Sequence, residues 1–158
     1  MSTHYKGTPI EQEVLNCWIK FNRAYVSVGH VLKSNMDTHG FTGTQFGVME
    51  ILEHLGPMPL KVIGEKILLS PSNLVLVIDN LERDGYVVRK KNPKDRRSII
   101  VSLTELGHRI IKPVFKSHLS EMVQAFDCLN KDEIQSLGDV CKKLGLHQNT
   151  KQEGINKK

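Results

Sequence analysis

Apolar residues near the start of the chain fall at three- and four-residue steps. Val14, Leu15, Trp18, Phe21, Tyr25, Val28, Val31 and Leu32 trace one wide face over residues 11–36, the period of an amphipathic helix. Asp37-Thr38-His39-Gly40 ends it, and Thr42 suits the N-cap of a second helix carrying Phe46, Val48, Met49, Ile51, Leu52 and Leu55. Gly56-Pro57-Met58-Pro59 reads as a turn, after which Leu60, Ile63 and Ile67 mark a short third helix. Ser70 and Pro71 open a fourth, since proline at the first helical position loses no needed N–H. That helix runs to Arg83 or Asp84 and stops at Gly85, a good residue just past a helix end.

The period then changes. Tyr86-Val87-Val88-Arg89 and Ser98-Ile99-Ile100-Val101-Ser102-Leu103 are β-branched runs flanking a polar, proline-containing stretch, which predicts a hairpin with a long tip. Thr104 caps a further helix with Leu106, Ile110, Ile111, Val114, Phe115, Leu119, Met122, Val123 and Phe126. Asn130-Lys131-Asp132-Glu133 has capping-box spacing and opens a last helix with Ile134, Leu137, Val140, Cys141 and Leu144. Residues 148–158 are polar and aperiodic and read as a disordered tail. The predicted fold class is mainly α, an α+β winged helix: a helix-turn-helix followed by a two-stranded wing. Leu74, Val77, Ile78 and Leu81 form the buried side of the fourth helix, and its first half is free of acidic groups.

Charge sharpens this picture. The chain of 158 residues carries 22 basic and 17 acidic groups, but the excess is not uniform. Residues 83–97 hold Arg83, Arg89, Lys90, Lys91, Lys94, Arg96 and Arg97 against Asp84 and Asp95, a net +5 inside the ordered pattern. Such an island on a hairpin asks for an anionic partner. No apolar run approaches the roughly 18 residues of a membrane span, and no signal-peptide core opens the chain, so a cytoplasmic protein without membrane contact is expected. Cys17, Cys128 and Cys141 are widely spaced and propose neither a disulfide framework nor a metal site. The histidines show no metal-ligand spacing, so no metal and no cofactor are expected. Motifs for nucleotide, hydrolase or zinc chemistry are missing, so no enzymatic reaction is proposed.

Asp95-Arg96-Arg97-Ser98-Ile99-Ile100-Val101-Ser102-Leu103-Thr104-Glu105-Leu106-Gly107 resembles the wing signature D-x-R-x-x-x-V-x-L-T-x-x-G of the MarR family of winged helix-turn-helix transcription regulators. Leu69-Ser70-Pro71-Ser72-Asn73 through Ile78-Asp79-Asn80-Leu81-Glu82-Arg83-Asp84-Gly85-Tyr86-Val87 is similar to that family's recognition helix and exit. Thr42-Gly43-Thr44-Gln45-Phe46 is similar to the start of its second helix. The likeness covers roughly residues 10–147. Within the family it is strongest to the branch that includes repressors responsive to quinones and other electrophiles.

The resemblance implies a homodimer that binds a pseudo-palindromic operator in double-stranded DNA and is released by an effector. Residues 1–40 and 105–147 would supply the dimerisation helices. Residues 41–104 would form the DNA-binding lobe, with the recognition helix at about 71–84 and the wing at about 86–103. The apolar faces of the terminal regions, too wide for a small lobe to cover, agree with a two-fold contact. Arg97 matches the wing arginine and is expected in the minor groove, where negative potential is concentrated. Asp95 is expected to pair with Arg97 across the hairpin tip, while Arg96, Lys90, Lys91 and Lys94 meet phosphates. On the recognition helix, Ser70, Ser72 and Asn73 can bond phosphates or base edges. Many family members carry Thr and a basic residue where this chain has Val75 and Leu76. These two either touch thymine methyl groups or pack in the lobe.

The effector site has two readings. Peroxide-sensing relatives carry a reactive cysteine near Cys17, although counting back from Gln45-Phe46 places that position at Trp18, about 100° away around the helix. Cys17 is therefore either a redox sensor or a packed apolar side chain. Alternatively, a small aromatic or phenolic ligand lodges among Trp18, Phe21, Tyr25, Phe46 and Met49. Rival functions for the whole chain are a nonspecific architectural nucleic-acid binder and a winged-helix module for protein contacts.

Overall fold

The computed structural model describes residues 4–93 and 95–155. Helix α1 (Pro9–Thr38) begins two residues before the sequence pattern does. Its start is fixed by a capping box: the Glu11 backbone N–H donates to Thr8 Oγ1 at 3.4 Å, and the Thr8 N–H donates to Glu11 Oε2 at 2.7 Å. Helix α2 (Gly43–Leu55) repeats the device, with the Gln45 N–H donating to Thr42 Oγ1 at 3.2 Å and the Thr42 N–H donating to Gln45 Oε1 at 3.0 Å.

The stretch expected to be only a turn contains a short strand, β1 (Met58–Pro59). Helices α3 (Leu60–Ile67) and α4 (Pro71–Arg83) follow, joined through Leu68, whose φ of 55° is left-handed. Strands β2 (Val87–Asn92) and β3 (Asp95–Leu103) form the antiparallel wing, with Arg89 opposite Val101 and Lys90 opposite Ile100. The sheet order is β1-β3-β2, because Met58 and Pro59 pair with Val101 and Ile100 along the other edge of β3. Proline is tolerated there because β1 is an edge strand. Helices α5 (Glu105–Ala125) and α6 (Lys131–Ile155) complete the chain. The α6 box has the Glu133 N–H on Asn130 Oδ1 at 3.0 Å and the Asn130 N–H on Glu133 Oε2 at 2.9 Å. The helix continues to Ile155, past residue 147 where apolar periodicity ends.

The chain divides into two compact units, Met1–Glu121 and Met122–Lys158. The first holds the core: Phe46, Val48, Met49 and Leu52 of α2 are buried together with Ile63, Leu74, Ile78, Leu81, Val101, Leu103 and Ile111. The second contains the end of α5 and α6, whose Ile134, Leu137, Val140 and Leu144 are exposed. Among the described residues no helix is long and apolar enough to cross a membrane. No group of His, Cys, Asp and Glu among them could hold a metal ion.

Candidate nucleic-acid interface

Helix α4 is pinned on one side by Leu74, Ile78 and Leu81, all buried. Helical geometry then turns Ser72, Leu76, Asp79 and Arg83 outward along one stripe, with Asn73 and Val75 beside it. Val75 is 43% exposed and Leu76 62%, so neither is needed to fill the lobe. Ser70 occupies the N-cap position, where its carbonyl accepts the Leu74 N–H at 3.0 Å but its side chain makes no cap bond; its hydroxyl lies 3.4 Å from that of Ser72. The first turn of α4 therefore presents backbone N–H groups and hydroxyls together, with no acidic residue among them.

The wing is seated by the residues of its signature. Val101 and Leu103 point into the core. Thr104 Oγ1 donates to the Gly85 carbonyl at 2.7 Å and accepts from the Gly107 N–H at 3.0 Å, closing the start of α5. Gly107 lies against the residue that leads into β2: a Cβ there would meet the Tyr86 carbonyl oxygen at 2.2 Å. At the other end of β3, Asp95 Oδ1 accepts the Arg97 backbone N–H at 3.0 Å. This corrects the expected ion pair. Asp95 orders the backbone of the tip and leaves the Arg97 guanidinium without a carboxylate partner among the described residues. Their spacing of two places the Asp95 carboxylate over the next-but-one N–H, the local bond that Asp side chains readily make.

Lys90 and Lys91 of β2 are also exposed, with no ion pair among the described residues. Lys94 and the side chain of Arg96 lie outside the described residues. Two other cations of the basic island are already engaged. The Arg83 Nε donates to Asp84 Oδ1 at 2.9 Å. Arg89 is the residue that sequence reasoning missed: it meets Asp79 and Glu82 of α4, at 2.6 and 2.7 Å. The acidic second half of α4 followed by an arginine on the next strand was the available signal.

The effector candidates do not gather in one place. Trp18, Phe21 and Tyr25 are exposed on α1, whereas Phe46 and Met49 are buried in the lobe core, Phe46 against the His118 ring at 4.6 Å. Trp18 instead borders a shallow apolar groove of about 460 Å³ with Tyr5, Ile10, Val14 and Leu15. Cys17 is exposed, so it is not a packed core side chain within one chain; Cys128 is exposed as well, and Cys141 is half-buried.

A three-helix lobe with an acid-free helix start beside a basic antiparallel hairpin defines a winged helix-turn-helix. Comparison with known proteins agrees: a model of the MarR family matches residues 41–99. The chain is 38% identical to the HTH-type transcriptional regulator YkoM of Bacillus subtilis, over 87% of this chain and 91% of that protein. It is 33% identical to the HTH-type transcriptional regulator MhqR of the same organism, over 86% and 94%. Among solved structures it is similar to AbsC, a MarR family regulator from Streptomyces coelicolor, with a TM-score of 0.83, 19% identity and coverage of 92% and 99%. A mutant MarR from E. coli complexed with operator DNA superposes with a TM-score of 0.75, 20% identity and coverage of 87% and 99%. The chain belongs to the MarR family: it is a DNA-binding transcriptional regulator of the helix-turn-helix type and not an enzyme.

Proposed function

We propose that this regulator is a cytoplasmic repressor that grips a pseudo-palindromic operator as a homodimer and lets go when a small molecule or oxidant changes the spacing of its two lobes. The observation that carries the reading is the set of cations Lys90, Lys91 and Arg97, which have no ion pair among the described residues, standing on a braced hairpin beside the acid-free start of α4. Arg97, with its backbone held by Asp95, enters the minor groove; Lys90, Lys91, Lys94 and Arg96 track phosphates. Ser70, Ser72 and Asn73 bond phosphate or base edges in the major groove. Val75 and Leu76, both exposed, contact thymine methyl groups and favour A·T pairs at those positions.

Dimerisation is supported by apolar surface that the single chain leaves open. Ile10, Val14, Trp18 and Tyr25 are exposed on α1, as are Ile134, Leu137, Val140 and Leu144 on α6. Spread along whole helices, such faces exceed what a monomer ordinarily leaves to water. A second copy covers them by a two-fold contact and places two recognition helices on one side of a duplex. The effector acts at the α1 face through Trp18, Phe21 and Tyr25 or through the exposed thiol of Cys17, by preferring one lobe spacing over another.

Selection of bound duplexes from a random pool tests this. Two inverted half-sites about one helical turn apart, with A·T pairs opposite Val75 and Leu76, are expected. An enriched site without inverted symmetry, or no enrichment at all, would overturn it.

A further inference from the structure

The second half of α4 carries two carboxylates, Asp79 and Glu82, of the wrong sign for a polyanion. Asp79 follows Ser72 and Leu76 along the exposed stripe, and Glu82 sits one turn from Asp79's flank toward the wing. Both carboxylates converge on one side chain from the next element. Arg89 Nη2 lies 2.6 Å from Asp79 Oδ1, and Arg89 Nη1 lies 2.7 Å from Glu82 Oε2. Nη2 also donates to the Val75 carbonyl at 3.4 Å. The Arg89 side chain is 22% exposed, against 53% for Asp79 and 37% for Glu82.

We propose that Arg89 is a positioning residue for duplex binding, acting through Asp79 and Glu82: it neutralises the acidic half of the recognition helix so that phosphates can approach it. The guanidinium fork is spent on two carboxylates and a carbonyl, so Arg89 is no phosphate ligand itself. Nor is the guanidinium the only tie between wing and helix. The Arg89 backbone N–H donates separately to Glu82 Oε1 at 3.0 Å, a bond that survives loss of the side chain. Of the cations in the basic island, Arg89 thus serves electrostatics from behind, while Lys90, Lys91 and Arg97 face outward. The inference rests on α4 and the wing being the duplex-binding surface.

The test uses the full chain and a duplex enriched from a random pool, with affinity followed across a salt series. Arg89→Gln is expected to weaken binding about tenfold or more near physiological salt, through two uncovered carboxylates facing the phosphates. The double variant Asp79→Asn/Glu82→Gln should bind at least as tightly as the native protein. Arg89→Gln added to that double variant should stay within about threefold of native affinity. Arg89→Lys, which keeps the charge and covers the case of an unstable Gln variant, should also stay within about threefold. An equal loss from Arg89→Gln in both backgrounds would make Arg89 a direct phosphate ligand and overturn the proposal. So would a double variant as weak as Arg89→Gln, since the guanidinium would then be holding the wing in place. Failure of the underlying reading shows elsewhere: the native protein's binding would be indifferent to Arg97→Ala.

Discussion

Gly107→Ala is a small change with a large expected consequence. The added methyl would sit 2.2 Å from the Tyr86 carbonyl oxygen and 3.1 Å from Leu103 Cδ2. Relief needs α5 and the start of the wing to part by about 1 Å, in an interior packed too densely to absorb it freely. The same carbonyl accepts the Thr104 N–H at 3.0 Å, so moving it strains the bond that opens α5. Overpacking costs about 1–3 kcal/mol and a weakened hydrogen bond about 1 kcal/mol, while alanine regains about 1 kcal/mol of helix propensity. The net is a destabilisation of about 2 kcal/mol, or roughly 4–8 °C in Tm for a chain of this size. Thermal unfolding followed by circular dichroism, at one protein concentration throughout, measures it. Gly43→Ala is the control. It opens α2 with nothing within 4 Å of the added methyl and should melt within about 0.5 kcal/mol of native. A Gly107→Ala protein that melts with the native one would refute the wedge between Tyr86 and α5.

Three further outcomes are expected. His118 is buried against Phe46 with its Nδ1 unpartnered among the described residues, and burial, partly opposed by Glu50, holds its pKa below the ordinary 6.5. The unfolded chain therefore binds this proton more readily, so its contribution to stability is complete above pH 6.5 and is lost as pH falls below it. His118→Leu should flatten the fall in Tm between pH about 7 and 5; an unchanged slope would count against burial as the cause. Asp95→Ala removes the acceptor of the Arg97 N–H and should weaken duplex binding about three- to tenfold with Tm unchanged, measured by fluorescence anisotropy. Trp18→Glu, on the open α1 face, should turn a dimer into 17.9 kDa monomers in sedimentation at micromolar concentration; a persisting dimer would place the contact elsewhere.

Features written in neighbouring residues were legible from the sequence. Thr42 caps α2 and Asn130 with Glu133 caps α6 as the sequence predicts, and the Ser70-Pro71 start and Gly85 stop bound α4. Gly85 stands at φ +77°, a conformation that only glycine adopts cheaply. Contacts made across the fold were not legible. Strand β1 has two residues, too few to show a period, and exists because Val101 and Ile100 offer it an edge. The Arg89 clamp needs α4 and β2 side by side; the acidic end of α4 followed by a strand arginine hints at the pairing without placing the two elements together. A helical period says that Trp18 and Phe46 are each on an apolar face; it does not say that one face is the lobe core and the other lies open. Thr8 was missed as a cap because Pro9 and Ile10 precede the regular apolar steps.

Reading of duplex DNA by sequence, through an exposed recognition helix and a wing arginine with no ion pair among the described residues, is the proposed activity. Its most direct measurement is the affinity of the native protein and of Arg97→Ala for the selected operator and for a random duplex of equal length, across a salt series. The native protein should prefer the operator by about a thousandfold or more. Arg97→Ala should lose about 1–3 kcal/mol of binding and lower the salt slope by about one. Equal affinity for the two duplexes, or an Arg97→Ala protein indistinguishable from native, would contradict it.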